Sequence, residues 1–371
     1  MSLDRFIDGF DEEPGYLDYA RTGPLSRAVL EEGNVFADFL RRVRHGSLDV
    51  LAEQDLRLRT AVSALTGFDV DRVAFQPNTT SGLLHAMFGL TGNVLLSPDE
   101  FPSLPLAAVR AQEALHTVQP TWLETDHGRV TPGQIRRQLA DNTVAVAVSL
   151  VDSRTGYVAD LEGIRQVIGD RLLIVDAIQG FGIVDAPWEH VDVIASGGQK
   201  WCRAGWSTGF LALSERAVDV LVPVFSGYTG TEETEVWGEV PPPAPDARAY
   251  RTSVPDPIAE SRLAVALEEI AEVGVAEIAA AVARNVSDVI DLADDFAVPL
   301  ASSRDERERA GIVVLEPEPE RLSALTAALH NHGITSTTRG GTVRLSVHAG
   351  TTRETLEMLR AAFVSFSTTG Y

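Results

Sequence analysis

The sequence predicts an α/β fold: a large domain with a mostly parallel, seven-stranded, doubly wound sheet, followed by a small C-terminal α+β domain. Three observations carry this expectation. Between residues 60 and 213, seven short β-rich runs alternate with segments of helical periodicity. Several runs are almost continuous Val, Ile, Leu and Ala, the composition of strands covered on both faces. Beyond residue 257 the pattern changes to two long helices, then to shorter strands and helices.

In chain order, the candidate strands are 72–75, 93–97, 117–122, 143–151, 172–176, 191–196 and 208–213. Leu161, Ile164, Val167 and Ile168 recur at helical spacing, and Asp160 is placed to cap that helix. Residues 227–257 are rich in Gly, Thr, Glu and Pro, with Pro241, Pro242 and Pro243 in succession. They predict a long irregular excursion over the surface or towards a partner subunit. The next helix puts Leu263, Leu267, Ile270 and Val273 on one face and ends at Gly274, a suitable C-cap. A second helix carries Ile278, Val282, Val286 and Val289. The remainder predicts strands at 311–315, 333–337 and 342–347 and helices at 320–330 and 352–363. The charge run at 304–309 reads as a solvated loop. Residues 1–255 are expected to form an N-terminal segment and the large domain, and 256–371 the small one.

Composition narrows the function classes. Of 371 residues, 44% are apolar and 23% charged, which excludes a disordered chain. A formal charge of −22 argues against nucleic acid or an anionic membrane as partner. One cysteine, Cys202, leaves no internal disulfide and no cysteine-based zinc site. The first ten residues lack the apolar core of a signal peptide, so a cytoplasmic protein is expected. No GxGxxG, GxxxxGK[ST] or HExxH motif occurs. His330 and His332 close a helix and read as a cap feature rather than a metal site.

One count points to chemistry. Lys occurs once, at Lys200, and the other 30 basic residues are Arg. Codon bias explains the missing lysines but not the surviving one. A guanidinium stays charged, whereas an amine can lose its proton and form an imine. Around Lys200 a constellation assembles. Asp176 ends the apolar strand in LLIVDAIQG, Gln179 follows it, and Lys200 ends IASGGQK after the next strand. Ligands of doubly wound sheets bind beyond the carboxyl ends of strands. Upstream, FQPNTTSGLLHAMF reads as strand, turn and helix, with Asn78, Thr79, Thr80 and Ser81 at a helix N-terminus suited to phosphate. Each piece alone is often only a helix cap. Together they match what pyridoxal phosphate needs: an amine, an acid for the ring nitrogen and a helix N-terminus for the phosphate.

On these residues the chain resembles the class V aminotransferase family of fold-type-I pyridoxal-phosphate enzymes, which includes cysteine desulfurases, kynureninase and isopenicillin N epimerase. The resemblance runs from YLDYARTGPLS at 16–26 to VRLSVHAGTTRETLEMLRAAF at 343–363. Its most specific parts are VDAIQGFGIVD, VDVIASGGQKW and GFLALS. It implies a fold-type-I transferase and a role for each matching residue. Lys200 is the Schiff-base lysine and later shuttles the proton at Cα. Asp176 pairs with the pyridinium nitrogen, and Gln179 reaches the ring O3′. Thr79 and Thr80 bind the phosphate. Phe101 stacks on the ring, as in kynureninase, where desulfurases have His. Arg344 clamps the substrate α-carboxylate.

Departures from the family pattern are equally specific. VDSRTG puts Ser153 where Asn is common and adds an unusual Arg154. Gln199 replaces the His that often precedes the lysine, so phosphate contact falls to Gln199 or Ser196. Thr252 and Ser253 loosely replace a Thr that the family lends to the neighbouring subunit. The stretch HNHGITSTTRGGT lacks the nucleophilic Cys of desulfurases, and Cys202 reads as a small buried apolar residue. The expectation is a homodimeric pyridoxal-phosphate aminotransferase acting on an amino acid or amine, and not a desulfurase. A lyase, a kynureninase-like hydrolase, an epimerase or a non-catalytic cofactor binder are the alternatives.

Overall fold

The computed structural model describes residues 1–233, 237, 238 and 240–368. Residues 234–236 and 239 of the expected excursion, and 369–371, lie outside the described residues. Seven strands form the large sheet: Val73–Phe75 (β1), Gly92–Leu96 (β2), Val118–Trp122 (β3), Thr143–Ser149 (β4), Leu172–Asp176 (β5), Val193–Gly197 (β6) and Gly209–Leu213 (β7). Their order is β1-β7-β6-β5-β4-β2-β3. The pairs from β6 through β3 are parallel, and only β7 runs against its neighbours.

Period-two alternation sends apolar side chains to both faces, so the sheet buries two cores. Ala145, Ala147, Leu172, Ile174 and Val193 pack with Leu83, Met87 and Leu104 from the helices Thr79–Gly89 and Ser103–Leu115. Val146, Val148, Leu173, Val175 and Ile194 face the other way, with Ile164 and Leu267. The expected cap at Asp160 is present, its side chain accepting from Gly163 N. β4 stops at Ser149, two residues before the expected end. The chain then turns at 152–157, and Val151 pairs back with Val158.

The second sheet is antiparallel, in the order β8-β10-β9, from Ile312–Leu315 (β8), Thr337–Arg339 (β9) and Thr342–Ser346 (β10). The strand expected at 333–337 begins only at Thr337. Gly333, at φ +74°, closes the helix Leu322–Asn331, and Ile334 N–H returns to Leu329 O. The helix Pro257–Val273 packs against the N-terminal helices Arg27–Arg41 and Ser47–Thr66. Gly274 caps it, its N–H donating to Ile270 O. No helix among the described residues is long and apolar enough to cross a membrane.

Candidate active site

Parallel register brings the strand ends together. Ser149 of β4 pairs with Asp176 of β5, and Asp176 with Ala195 of β6. A cleft of about 1190 Å³ opens beyond this edge. Lining it are Thr79, Thr80, Phe101, Ser153, Asp176, Gln179, Gln199, Lys200 and Arg344. The structure thus gathers nine of the ten residues expected at the site. Ser196 is the exception. It is fully buried, its hydroxyl donates to Gly197 O, and it does not reach the cleft. Strand alternation explains this, because Ser196 is one residue off the end that faces the cleft.

Lys200 is nearly buried, and desolvation lowers its amine to about 8 against a partly offsetting attraction from Asp176. Phe101 is not a core residue. Its ring is 37% exposed, and its centroid lies 5.4 Å from Lys200 Nζ. The turn before Lys200 rests on the N-terminal segment. Gly23 N–H and Thr22 Oγ1 both donate to Gln199 O, and a side chain at Gly23 would overlap Lys200 O. Gln179 is fixed as well: its Nε2 donates to Ala20 O and its Oε1 accepts from Trp201 Nε1. Nε2 keeps a second hydrogen for a ligand.

Asp176 is 1% exposed. Its Oδ1 accepts from Ile178 N at 3.1 Å, while Oδ2 is buried without a partner. Burial raises this carboxyl to about 6. An unpaired buried carboxylate oxygen is costly unless a cation or donor completes it. Thr79 Oγ1 is likewise buried and unpartnered. It faces Gly197, where a Cβ would stand 3.2 Å from Thr79 Oγ1 and overlap Gln199 Oε1. Asn78 caps the helix by accepting from Ser81 N, which leaves the first N–H groups of the turn free. Thr80 Oγ1 instead meets Ser103 Oγ at 2.9 Å. Across the cleft, Arg344 on β10 donates from Nη1 to Ser153 O and stands 3.7 Å from Asp18 Oδ1, with its Nε buried and unpartnered.

Residues 15–369 match the family described as Aminotransferase class-V. The chain belongs to the class-V aminotransferase family. An uncharacterised aminotransferase, YcbU of Bacillus subtilis, is 26% identical over 80% of this chain and 79% of its own. Kynureninase of Deinococcus radiodurans is 26% identical over 67% of this chain and 62% of its own. Among solved structures, a cystine C–S lyase, C-DES, with cysteine persulfide superposes at TM-score 0.86, with 18% identity over 95% of this chain and 97% of that one. A cysteine desulfurase of Thermococcus onnurineus does so at 0.83, with 20% identity over 94% and 93%. These structures share the fold, that of the fold-type-I pyridoxal-phosphate enzymes.

The cofactor of this class-V enzyme is pyridoxal 5′-phosphate. The residues present fit it. The orphaned Asp176 Oδ2 suits a protonated ring nitrogen. The cradle of Thr79, Gly197 and Gln199 at a helix N-terminus suits a phosphate, and Lys200 supplies the amine in the same cleft.

Sequence reasoning missed Glu100 and Arg129. Glu100 is buried at the cleft, accepts from Ser149 N at 3.2 Å, and is pushed up to about 7 by burial, with Asp152 and Asp176 adding to the rise. Its position beside Phe101 was the only signal. Thr252 and Ser253 lie elsewhere, in a separate hollow of about 220 Å³ with Gln76 and Pro77. Among the described residues no acidic, His or Cys cluster could hold a metal ion.

Proposed function

We propose that this class-V enzyme is an aminotransferase acting on an α-amino acid, anchored to its cofactor through Lys200 Nζ. The observation that supports it most is one pairing: a buried, easily deprotonated amine and an orphaned carboxylate oxygen in one cleft. Lowering Lys200 from 10.5 to about 8 makes the neutral amine about 300-fold more abundant near neutral pH. The cofactor, when bound, supplies an electron sink for the pair left when Cα loses its proton. Asp176 holds a proton on the ring nitrogen, and a cation at Oδ2 returns this carboxyl to its ionised form. Lys200 Nζ, once freed by substrate, would take the Cα proton and return it two atoms further on, across the amine nitrogen. Arg344, whose guanidinium lines the cleft, fixes the α-carboxylate.

Desulfurase relatives keep sulfur chemistry within the family, and the likeness to them gives the exclusion no support. The chain's own residues argue against a cysteine nucleophile. Cys202 is buried outside the cleft, its Sγ–H pointing to Phe181 O, with burial raising it to about 12. Only about one molecule in 10⁵ would carry the thiolate at pH 7. A second reading, elimination or hydrolysis at the side chain or epimerisation at Cα, is favoured by the kynureninase-like Phe101. A homodimer is part of the proposal. Val222, Val224, Phe225 and Tyr228 are exposed beside the hollow of Thr252 and Ser253, which Gly227 N–H joins through Arg251 O. The test is transfer of ¹⁵N from labelled amino acids to 2-oxo acids. Label in the new amino acid supports amino transfer. Ammonia or an inverted amino acid, without transfer, supports the second reading.

A further inference from the structure

The outer wall of the cleft holds more positive charge than the proposed reaction uses. The whole chain has 53 acidic and 31 basic residues. Five arginines nevertheless line this cleft: Arg21, Arg129, Arg154, Arg339 and Arg344. The acids beside them do not offset this. Asp176 and Glu100 are buried at the floor and Glu316 is exposed; Asp99 lies 3.1 Å from Arg154 Nη1, while Asp152 and Asp18 stand farther off, 3.8 Å from Arg154 Nε and 3.7 Å from Arg344 Nη2. The Asp99–Arg154 pair is half exposed and screened by water. Among the described residues, neither Arg129 nor Arg339 forms an ion pair, and Arg129 Nε is buried without a partner.

Three of these arginines follow one another along the wall. Arg344 donates to Ser153 O, the residue before Arg154. Arg154 in turn lies directly against Gly128, where a side chain would collide with its guanidinium, and Gly128 adjoins Arg129. Gly128 has φ +75°, within the turn closed by the Asp126–Arg129 bridge. The Arg154 backbone is pinned too: Asp152 Oδ1 accepts from its N–H at 3.0 Å, and from Thr155 N and Oγ1. Asp152 Oδ2 stands 3.8 Å from Arg154 Nε. Arg339 stands near enough to Arg344 for their charges to oppose. Like charges gathered at one concave wall repel until an anion joins them.

We propose that the substrate carries a second anionic group at the far end of its side chain, received by Arg154 and Arg129 while Arg344 takes the α-carboxylate. The substrate class is therefore an amino acid with two acidic ends. The distal acid is a carboxylate or another planar or tetrahedral oxyanion that guanidinium forks recognise. This rests on the reading of the cleft as an amino-acid site.

The test uses the purified protein with its cofactor, reduced with borohydride so that no turnover intervenes. Calorimetry compares glutarate, 4-phosphonobutyrate and pentanoate. The expected result is roughly tenfold or tighter binding of one doubly acidic probe over pentanoate. The better of the two names the distal acid. Arg154→Gln and Arg129→Gln each shrink that advantage several-fold with pentanoate affinity held, while Arg344→Lys weakens all three probes. Arg154→Lys keeps the charge but loses the fork, and should fall between. Equal affinity for all probes, or an advantage that survives both Gln substitutions, overturns the proposal. If no cofactor is fixed, the cofactor-anchoring reading fails instead, and the same titrations on untreated protein still decide the acid preference.

Discussion

Asp176, Gln179 and Lys200 stand on or just beyond the ends of buried strands, whereas Arg129 and Arg154 stand on turns, and Arg339 at the end of the short strand β9, at the outer wall of the same cleft. Strand register places the first group; Gln179 is locked by Trp201, and Asp176 is left with one unpartnered atom. The second group is held by a glycine, an aspartate-pinned turn and a short hairpin, and stays partly in water. Change is tolerated unevenly between the two groups. The floor sets the chemistry, because moving a strand end moves the whole sheet. The wall sets the substrate, because a turn can exchange residues without disturbing a core.

Four substitutions sharpen that comparison. Asp176→Asn should leave the fold intact and slow turnover by about 10⁴-fold, the scale seen when a catalytic carboxylate is neutralised. Steady-state kinetics with circular dichroism separates this from unfolding. Arg344→Lys should lower kcat/KM for α-amino acids by about 30- to 1,000-fold, and hardly change the reaction with a matched amine lacking the carboxylate. Equal losses on both substrates would make Arg344 structural.

Glu100→Gln tests the floor through pH. Its folded carboxyl titrates near 7 rather than 4.5, so the native state binds the extra proton between those values. Stability therefore falls as pH rises from 4.5 to 7, by up to about 3 kcal/mol from this group. The amide has no charge to bury and can still accept from Ser149 N. The variant should match the wild type at pH 4.5 and gain stability above pH 7, as read by denaturant unfolding. Cys202→Ala should have the smallest effect: activity kept, with a packing loss of about 1 kcal/mol beside Phe181. Loss of cysteine-dependent sulfide release in this variant would contradict the reading of Cys202 as packing.

Much of the floor was legible in the sequence. β-rich runs, several of them continuous and aliphatic, placed all seven strands to within two residues, and the lone lysine marked the expected reactive amine. What escaped had no periodic signal. Ser196 sits one residue off a strand end, a parity that the boundary of 191–196 could not resolve. The third small strand slid to Thr337, because the turn at Gly333 consumed residues that alternate like a strand. Arg129 lies on a hairpin turn, where only folding shows that it stands beside Arg154 across Gly128. Glu100 looked like an ordinary turn acid, and its burial follows from Ser149 on a strand far away in sequence.

The central claim is that Lys200 anchors the cofactor in the cleft that Asp176 closes. Borohydride reduction of the purified yellow protein, followed by digestion and mass spectrometry, tests it directly. The account predicts one pyridoxyl-labelled peptide containing Lys200, absent from Lys200→Arg. Label on the N-terminus alone, or an unlabelled protein that still turns over amino acids, would contradict it.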